Sequence, residues 1–248
     1  MKSCLLNPVG TSPMVITEMV DFFENGYKKH LDDVVIISTS DETVVSGAYM
    51  AGSAIKVRFH NIGVHYEFLS FPDIIEENDL IDFLDKIGYI VKNEKEKYGV
   101  KKIYLNISGG RKVESIALSN FSQLLNIDEV WIVLNKNIAN YNIDFERYKN
   151  ELINFRDGEN LEYYMKNADK FDPIFYPERK DLSFFEIHSI NLSREDRLLL
   201  KNILKGINLE DSNIPDYKID AFIKSGFIEN NRKRSIPTKL GEVIYKYI

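Results

Sequence analysis

The chain has 248 residues, a net charge of −6, 44% hydrophobic residues, one cysteine and four histidines. That apolar content fills a sizeable core, while Cys4 alone excludes an internal disulfide and four scattered histidines exclude a Cys/His metal cluster. The acidic balance argues against an electrostatic nucleic-acid binder as a whole, no apolar run is long enough to span a bilayer, and residues 1–6 are cut by Asn7-Pro8 before a signal-peptide core could form, so a soluble, cytoplasmic protein is expected.

Residues 3–6 read as a strand that delivers the chain into Asn7-Pro8-Val9-Gly10-Thr11-Ser12-Pro13. A helix follows over 14–23, with apolar residues at 15, 16, 19, 20, 22 and 23; Ser12 is placed as its N-cap and Pro13 at its first position. Residues 33–40 form an apolar run ending in hydroxyls, the pattern of a parallel strand buried on both faces. Residues 43–57 are rich in Gly and Ala and are expected as a close-packing helix. Residues 64–69 alternate as a third strand near His60 and His65, which are expected to be satisfied or exposed rather than ligands. Residues 79–98 carry apolar positions at helical spacing, so the order is βαβαβα.

A fourth strand over 102–107 enters Ser108-Gly109-Gly110-Arg111-Lys112, followed by a helix over 113–125 whose apolar positions include Val113 and Ile116. Both loops are strand-to-helix turns, which in an open α/β sheet lie at the carboxyl ends of parallel strands, where ligands bind and helix starts offer N–H groups to an anion. Gly109 and Gly110 permit close backbone approach. Arg111 and Lys112 stand where the helix dipole disfavours cations, a conflict that a bound phosphate would resolve. Residues 128–134 supply another strand, with Trp131 in the core. From 142 to 175 the periodicity weakens, with breaks at Asp157-Gly158 and Asp172-Pro173. The aromatics Tyr163, Tyr164, Phe171, Phe175 and Tyr176 cover a sheet edge or line a pocket. Residues 184–190 are expected as a last strand.

The remainder has another rhythm. From residue 191 the chain carries 11 Lys+Arg and 8 Asp+Glu, a balance of +3, against −9 for the rest. Ser193 caps a helix with Asp196 three residues on. A second helix begins at Ile214-Pro215. Arg232, Lys233 and Arg234 form a basic hairpin tip, and Thr238 caps a final helix. This order suggests a winged helix-turn-helix in which those three residues are the DNA contacts, although +3 does not demand DNA and such modules often mediate dimer contacts.

The pairing of Gly10-Thr11-Ser12-Pro13 with Ser108-Gly109-Gly110-Arg111-Lys112, ahead of a winged helix, resembles the CRISPR-associated Rossmann fold (CARF) proteins. It is most similar to the archaeal standalone ring nucleases. The resemblance implies an α/β, Rossmann-like, mostly parallel sheet over residues 1–188 and a small winged helix-turn-helix domain over 189–248. The Arg-x4–6-His motif of the RNase-tailed relatives is absent from the tail, since Arg58 and His65 lie inside the first domain. By resemblance, a homodimer binds cyclic tetraadenylate and cleaves it without metal or other cofactor to linear oligoadenylates bearing 2′,3′-cyclic phosphate. Lys112 then stabilises the phosphorane and Ser12 orients the attacking hydroxyl as the catalytic pair. Gly10, Thr11, Pro13, Ser108, Gly109, Gly110 and Arg111 hold the ligand. The alternative is a cyclic-oligoadenylate-responsive, DNA-binding regulator that does not cleave. A dinucleotide or P-loop enzyme is disfavoured by the missing glycine fingerprints.

Overall fold

Six strands form one sheet in the order β3-β2-β1-β4-β5-β6, seen in a computed structural model that describes residues 1–188, 193–210, 212–229, 231 and 233–248. The strands are β1 Ser3–Val9, β2 Asp33–Ser38, β3 Gly63–Phe68, β4 Lys102–Asn106, β5 Glu129–Asn135 and β6 Leu182–Glu186. The first five pair in parallel, and β6 runs antiparallel along β5. Every residue of β1 and β2 is buried, as a central parallel sheet covered on both faces requires. Leu5, Val34, Ile36, Tyr104 and Trp131 point to one face. Leu6, Val35, Ile37, Ile103, Leu105 and Val130 point to the other.

The helices divide accordingly. α1 (Met14–Asp21) and α2 (Glu42–Arg58) pack on the first face, and α3 (Glu77–Glu96) and α4 (Lys112–Phe121) on the second. The chain therefore winds outward from β1 in one direction through β2 and β3, then crosses to β4 and continues the other way. The reversal falls between β1 and β4, and this is a doubly wound, Rossmann-like sheet.

β1 outruns its expected end at Leu6. It pairs with β4 only from Ser3 to Leu6, but with β2 as far as Val9. Beyond Leu6 one side of β1 has no ladder to feed, which is where a strand tolerates Pro8. The divergence of β4 from β1 opens a crevice at their carboxyl ends.

Other expectations need correction. Pro13, not Ser12, stands at the N-cap of α1, with αR backbone angles and no side-chain cap. The helix expected over 113–125 runs from Lys112 to Phe121 with Arg111 as its N-cap, and Val113 and Ile116 are exposed by 41% and 62% rather than buried. The helix over 43–57 starts one residue earlier because Asp41 caps it, its Oδ1 accepting from the N–H groups of Thr43 and Val44 at 2.9 and 3.1 Å. The weakly periodic stretch forms α5 (Ile138–Arg147), a 3₁₀ turn over Lys149–Phe155, α6 (Leu161–Lys166) and α7 (Ala168–Phe175). Pro173 lies inside α7 instead of breaking it. Tyr164, Phe171 and Phe175 are fully buried in the cluster beneath α1 and α2. They are core, not pocket lining.

Beyond the sheet lie α8 (Arg194–Leu204), α9 (Asp216–Lys224) and α10 (Lys239–Tyr247), with isolated bridges pairing Asn208 with Arg234 and Ile228 with Pro237. The Ser193 hydroxyl accepts from the Asp196 N–H at 3.0 Å and the Thr238 hydroxyl from the Gly241 N–H at 3.1 Å, so both sequence-assigned caps are in place. Leu200, Ile203, Val243 and Ile244 join the same apolar cluster as Phe83, Leu84 and Ile87 of α3. Lys246 and the Tyr247 hydroxyl both reach Asp85 of α3, at 2.8 and 2.7 Å. Among the described residues, no helix is long and apolar enough to cross a membrane.

Candidate functional site

The β1–α1 and β4–α4 loops meet at the crevice, and glycine is what lets them meet. A Cβ on Gly10 would lie 3.3 Å from the Cα of Gly110, and one on Gly109 would lie 2.3 Å from the Pro8 carbonyl oxygen. Gly110 also has φ +77°, a left-handed conformation that other residues adopt only with strain. Two buried asparagines tie the strands together just below. Asn106 Nδ2 donates to Asn7 Oδ1 and to the Val15 carbonyl, both at 3.0 Å. Asn106 Oδ1 accepts from the Ser108 N–H at 3.0 Å and from the Ser108 hydroxyl at 2.6 Å. Neither asparagine was singled out in the sequence, although a polar residue within each of two buried strands, Asn7 inside β1 and Asn106 at the end of β4, was a readable signal.

Above this floor opens a cavity of about 560 Å³, lined by Gly10, Thr11, Gly110 and Arg111 of the two loops, by Glu114 in the first turn of α4, and by Thr39, Asp41, Thr43, Asp73 and Lys149 around them. The Arg111 guanidinium, 62% exposed, forms a bidentate pair with Asp73 in the loop after β3, with Nε 2.8 Å from Oδ1. That pairing holds the Asp73 carboxyl below the usual carboxylate range. Glu114 is 5% exposed. Burial pushes it up to about 7, against a smaller downward pull from the Arg111 backbone N–H. Asp73 and Glu114 therefore answer part of the charge conflict that the sequence assigned to a missing anion. Lys112 differs: it is exposed and makes no hydrogen bond or ion pair among the described residues.

The remaining sequence-assigned residues separate into two groups. Gly10, Thr11, Gly110 and Arg111 line the cavity. Ser12, Pro13, Ser108, Gly109 and Lys112 flank it. Pro13 is buried, and its ring lies 3.3 Å from where a Cβ on Gly47 would stand, so it packs α1 against α2. The Ser12 hydroxyl donates to Asn142 Oδ1 of α5 at 3.0 Å. The Ser108 hydroxyl, besides donating to Asn106, accepts from the Val133 N–H at 2.7 Å and so locks β4 to β5. Thr39, Asp41, Thr43, Asp73 and Lys149 were missed because they come from three separate segments that only the winding of the sheet brings to the two loops, whereas Glu114 is local, in the first turn of α4.

Of the assigned DNA contacts, Lys233 and Arg234 are exposed, and Arg232 lies outside the described residues. The helix before the hairpin, α9, carries Asp216 and Asp220 against Lys218 and Lys224. Lys218 is spent on Asp196 at 2.9 Å. Among the described residues, α9 presents no net positive face to a phosphate backbone.

The model of a family described as CRISPR-associated protein NE0113 matches residues 12–174. Among solved structures, Enterococcus italicus Csm6 bound to cyclic hexa-2′-fluoro-hexa-dAMP superposes with a TM-score of 0.43 at 15% identity, over 93% of this chain and 50% of that one. A type III CRISPR defence DNA nuclease activated by cyclic oligoadenylate superposes with a TM-score of 0.38 at 14% identity, over 90% of this chain and 30% of that one. The chain thus spans half or less of the length of these two proteins. No curated protein sequence matches it.

Proposed function

The chain belongs to the CRISPR-associated protein NE0113 family, and from that premise we propose that it binds a cyclic oligoadenylate, with cyclic tetraadenylate the leading candidate, at the β1/β4 crevice and cleaves it. The products would be linear oligoadenylates ending in 2′,3′-cyclic phosphate, and their formation would switch off type III CRISPR signalling. The observation that carries the reading is the approach of Gly10 to Gly110 at the switch point of the sheet, which exposes two loop backbones and Arg111 to one cavity. Such a crevice is where open α/β sheets hold phosphate-bearing ligands.

In the cleavage step the ribose 2′-oxygen bonds to the adjacent phosphorus and the P–O5′ bond breaks. The 2′-hydroxyl loses its proton and O5′ gains one. Positioning the hydroxyl in line and stabilising the charge on the phosphorane supply the acceleration. Lys112, exposed and without a partner among the described residues, is the cation assigned to that charge. Ser12 keeps lone pairs free to accept from the 2′-hydroxyl while its own hydrogen is on Asn142. A four-phosphate ring with two-fold symmetry suits a homodimer in which each copy supplies half of the contacts. Residues 189–248 are assigned to a winged helix-turn-helix domain.

A second reading, ligand sensing without cleavage, is favoured by the engagement of Ser12 with Asn142, which leaves the hydroxyl without a base. Incubation with labelled cyclic tetraadenylate in EDTA, beside Lys112→Ala, tests both. Linear products from the parent protein but not the variant are expected. Tight binding with no product would replace cleavage by sensing, and no binding would overturn the ligand assignment.

A further inference from the structure

Glu114 sits in the wall of a cavity read as an anion site, and a charged carboxylate there would oppose the ligand. Its surroundings are specific. Oε2 occupies the space over Gly110 that any side chain at that position would fill, 1.9 Å from where a Cβ would stand. The carboxyl is thus built into the contact between loop and helix. Other charged groups facing the same cavity are Asp41 at the start of α2, Asp73 in the loop after β3, Arg111 in its own loop and Lys149 after α5. Asp73 and Arg111 are paired with each other, and the Asp41 Oδ1 is engaged by two backbone N–H groups. Among the described residues, Glu114 is therefore the acid on this wall that has neither an ion-pair partner nor a capping duty towards α2; its carboxyl accepts the Arg111 backbone N–H at the start of α4, which leaves an oxygen to carry a proton.

We infer that Glu114 is a ligand-contacting residue that takes up a proton as the phosphodiester binds and donates its O–H to a non-bridging phosphate oxygen. This rests on the reading of the crevice as a phosphodiester site. The proton comes from solvent, and no covalent bond to the ligand forms. Physically, burial already brings the carboxyl to the middle of the neutral range, and an arriving negative charge favours the protonated form further. In the free protein at pH 8 the group is mostly ionised, whereas in the complex it is mostly protonated. Linkage then requires affinity to fall as pH rises above 7, approaching about tenfold per pH unit, until the carboxyl of the complex itself ionises.

Titration calorimetry with cyclic tetraadenylate at pH 8, in two buffers of different ionisation enthalpy, measures the proton directly. The 5′-hydroxyl linear tetraadenylate, which carries only phosphodiesters and no phosphate titrating near pH 7, serves as a second probe. The parent protein is expected to take up close to one proton per bound subunit, and Glu114→Gln none, with an affinity that no longer depends on pH between 6.5 and 8.5. Ring binding without uptake in the parent, or uptake that persists in Glu114→Gln, overturns the proposal and leaves the ligand assignment standing. Binding of the linear probe alone, with uptake, upholds the proposal and discards the ring. Failure of both to bind overturns both readings. The parent protein's uptake and pH profile decide the matter even if the variant fails to fold.

Discussion

Arg111 and Asp73 join two walls of the crevice, a bidentate ion pair between the loop that opens α4 and the loop that follows β3. The guanidinium most available to a ligand is thus already engaged, but in an exposed pair of the kind that contributes little to stability. A phosphate entering the cavity exchanges one anion for another at small cost. Asp73→Asn removes the competitor, so it is expected to bind cyclic tetraadenylate a few-fold more tightly than the parent at low ionic strength, with the gain shrinking in salt. Fluorescence polarisation at two salt concentrations checks this. Unchanged or weaker binding by the variant would mean that Arg111 acts while still held by Asp73.

The close approach of the two loops carries a second expectation. Gly109→Ala would place a methyl 2.3 Å from the Pro8 carbonyl oxygen, a backbone atom that cannot swing aside. Overpacking of this kind costs about 1–3 kcal/mol. The variant is expected to lose that much in urea unfolding and most of its ligand affinity, because the crevice is widened where the loops meet. Gly99→Ala is the contrast: unlike Gly109 it has positive φ, but open space surrounds it, so backbone strain alone should act there and binding should survive.

Much of this crevice was legible in the sequence, and the reason is local. An apolar strand, a glycine-bearing loop and the start of a helix are encoded within a dozen residues, so both loops could be placed before any contact was known. The parallel order of the first five strands followed from βα alternation in the same way. What the sequence concealed was long-range. Asp73, Asp41 and Lys149 reach the cavity only through the winding of the sheet. Val113 and Ile116 have the spacing of a core face, yet α4 turns them outward, because periodicity reports an apolar stripe and not what covers it. Pro173 read as a helix break, but near the end of an eight-residue helix it removes one hydrogen bond that tertiary packing of Phe171 and Phe175 can offset.

Two buried carboxyls give stability a pH dependence of definite sign. Glu18 is 1% exposed, accepts from Asn135 Nδ2 at 2.8 Å through Oε1, and has no partner on Oε2 among the described residues. Burial pushes it up to about 7 from the ordinary 4.5, against the pull of Asn135. Glu114 is raised similarly. For an acid whose folded value is raised, the native state holds a proton that the unfolded chain releases. The stabilisation is complete below about pH 4.5, is lost as pH rises to about 7, and changes little beyond. Each such group integrates to about 3 kcal/mol. Glu18→Gln keeps the acceptor for Asn135 and cannot ionise, so at pH 8 it is expected to be roughly 1–3 kcal/mol more stable than the parent. The advantage should vanish near pH 5 and the slope between them should be about halved. Urea unfolding from pH 5 to 8.5 measures both curves, and parallel curves would show that Glu18 does not titrate in this range.

The outward apolar side chains supply the last expectation. Val113 and Ile116 on α4 lie at the carboxyl end of the sheet, beside Lys112. On the same sheet face the register sets Phe185 of β6 against Ile132 of β5, with Leu134 two residues further along. Ile116, Leu134 and Phe185 are each at least half exposed. Scattered surface apolar residues need no explanation, but several at one end of a sheet, next to a cation assigned to the ligand, fit a surface that a second copy covers. Ile116→Glu is expected to convert a dimer to a monomer in sedimentation velocity at micromolar concentration. Because the residue is exposed in the single chain, urea unfolding of the monomer should shift by no more than about 0.5 kcal/mol. Binding of cyclic tetraadenylate should weaken sharply, since each copy would then offer only half of the phosphate contacts. A parent protein that sediments as a monomer, or a variant that remains dimeric with unaltered binding, would place any two-fold interface elsewhere.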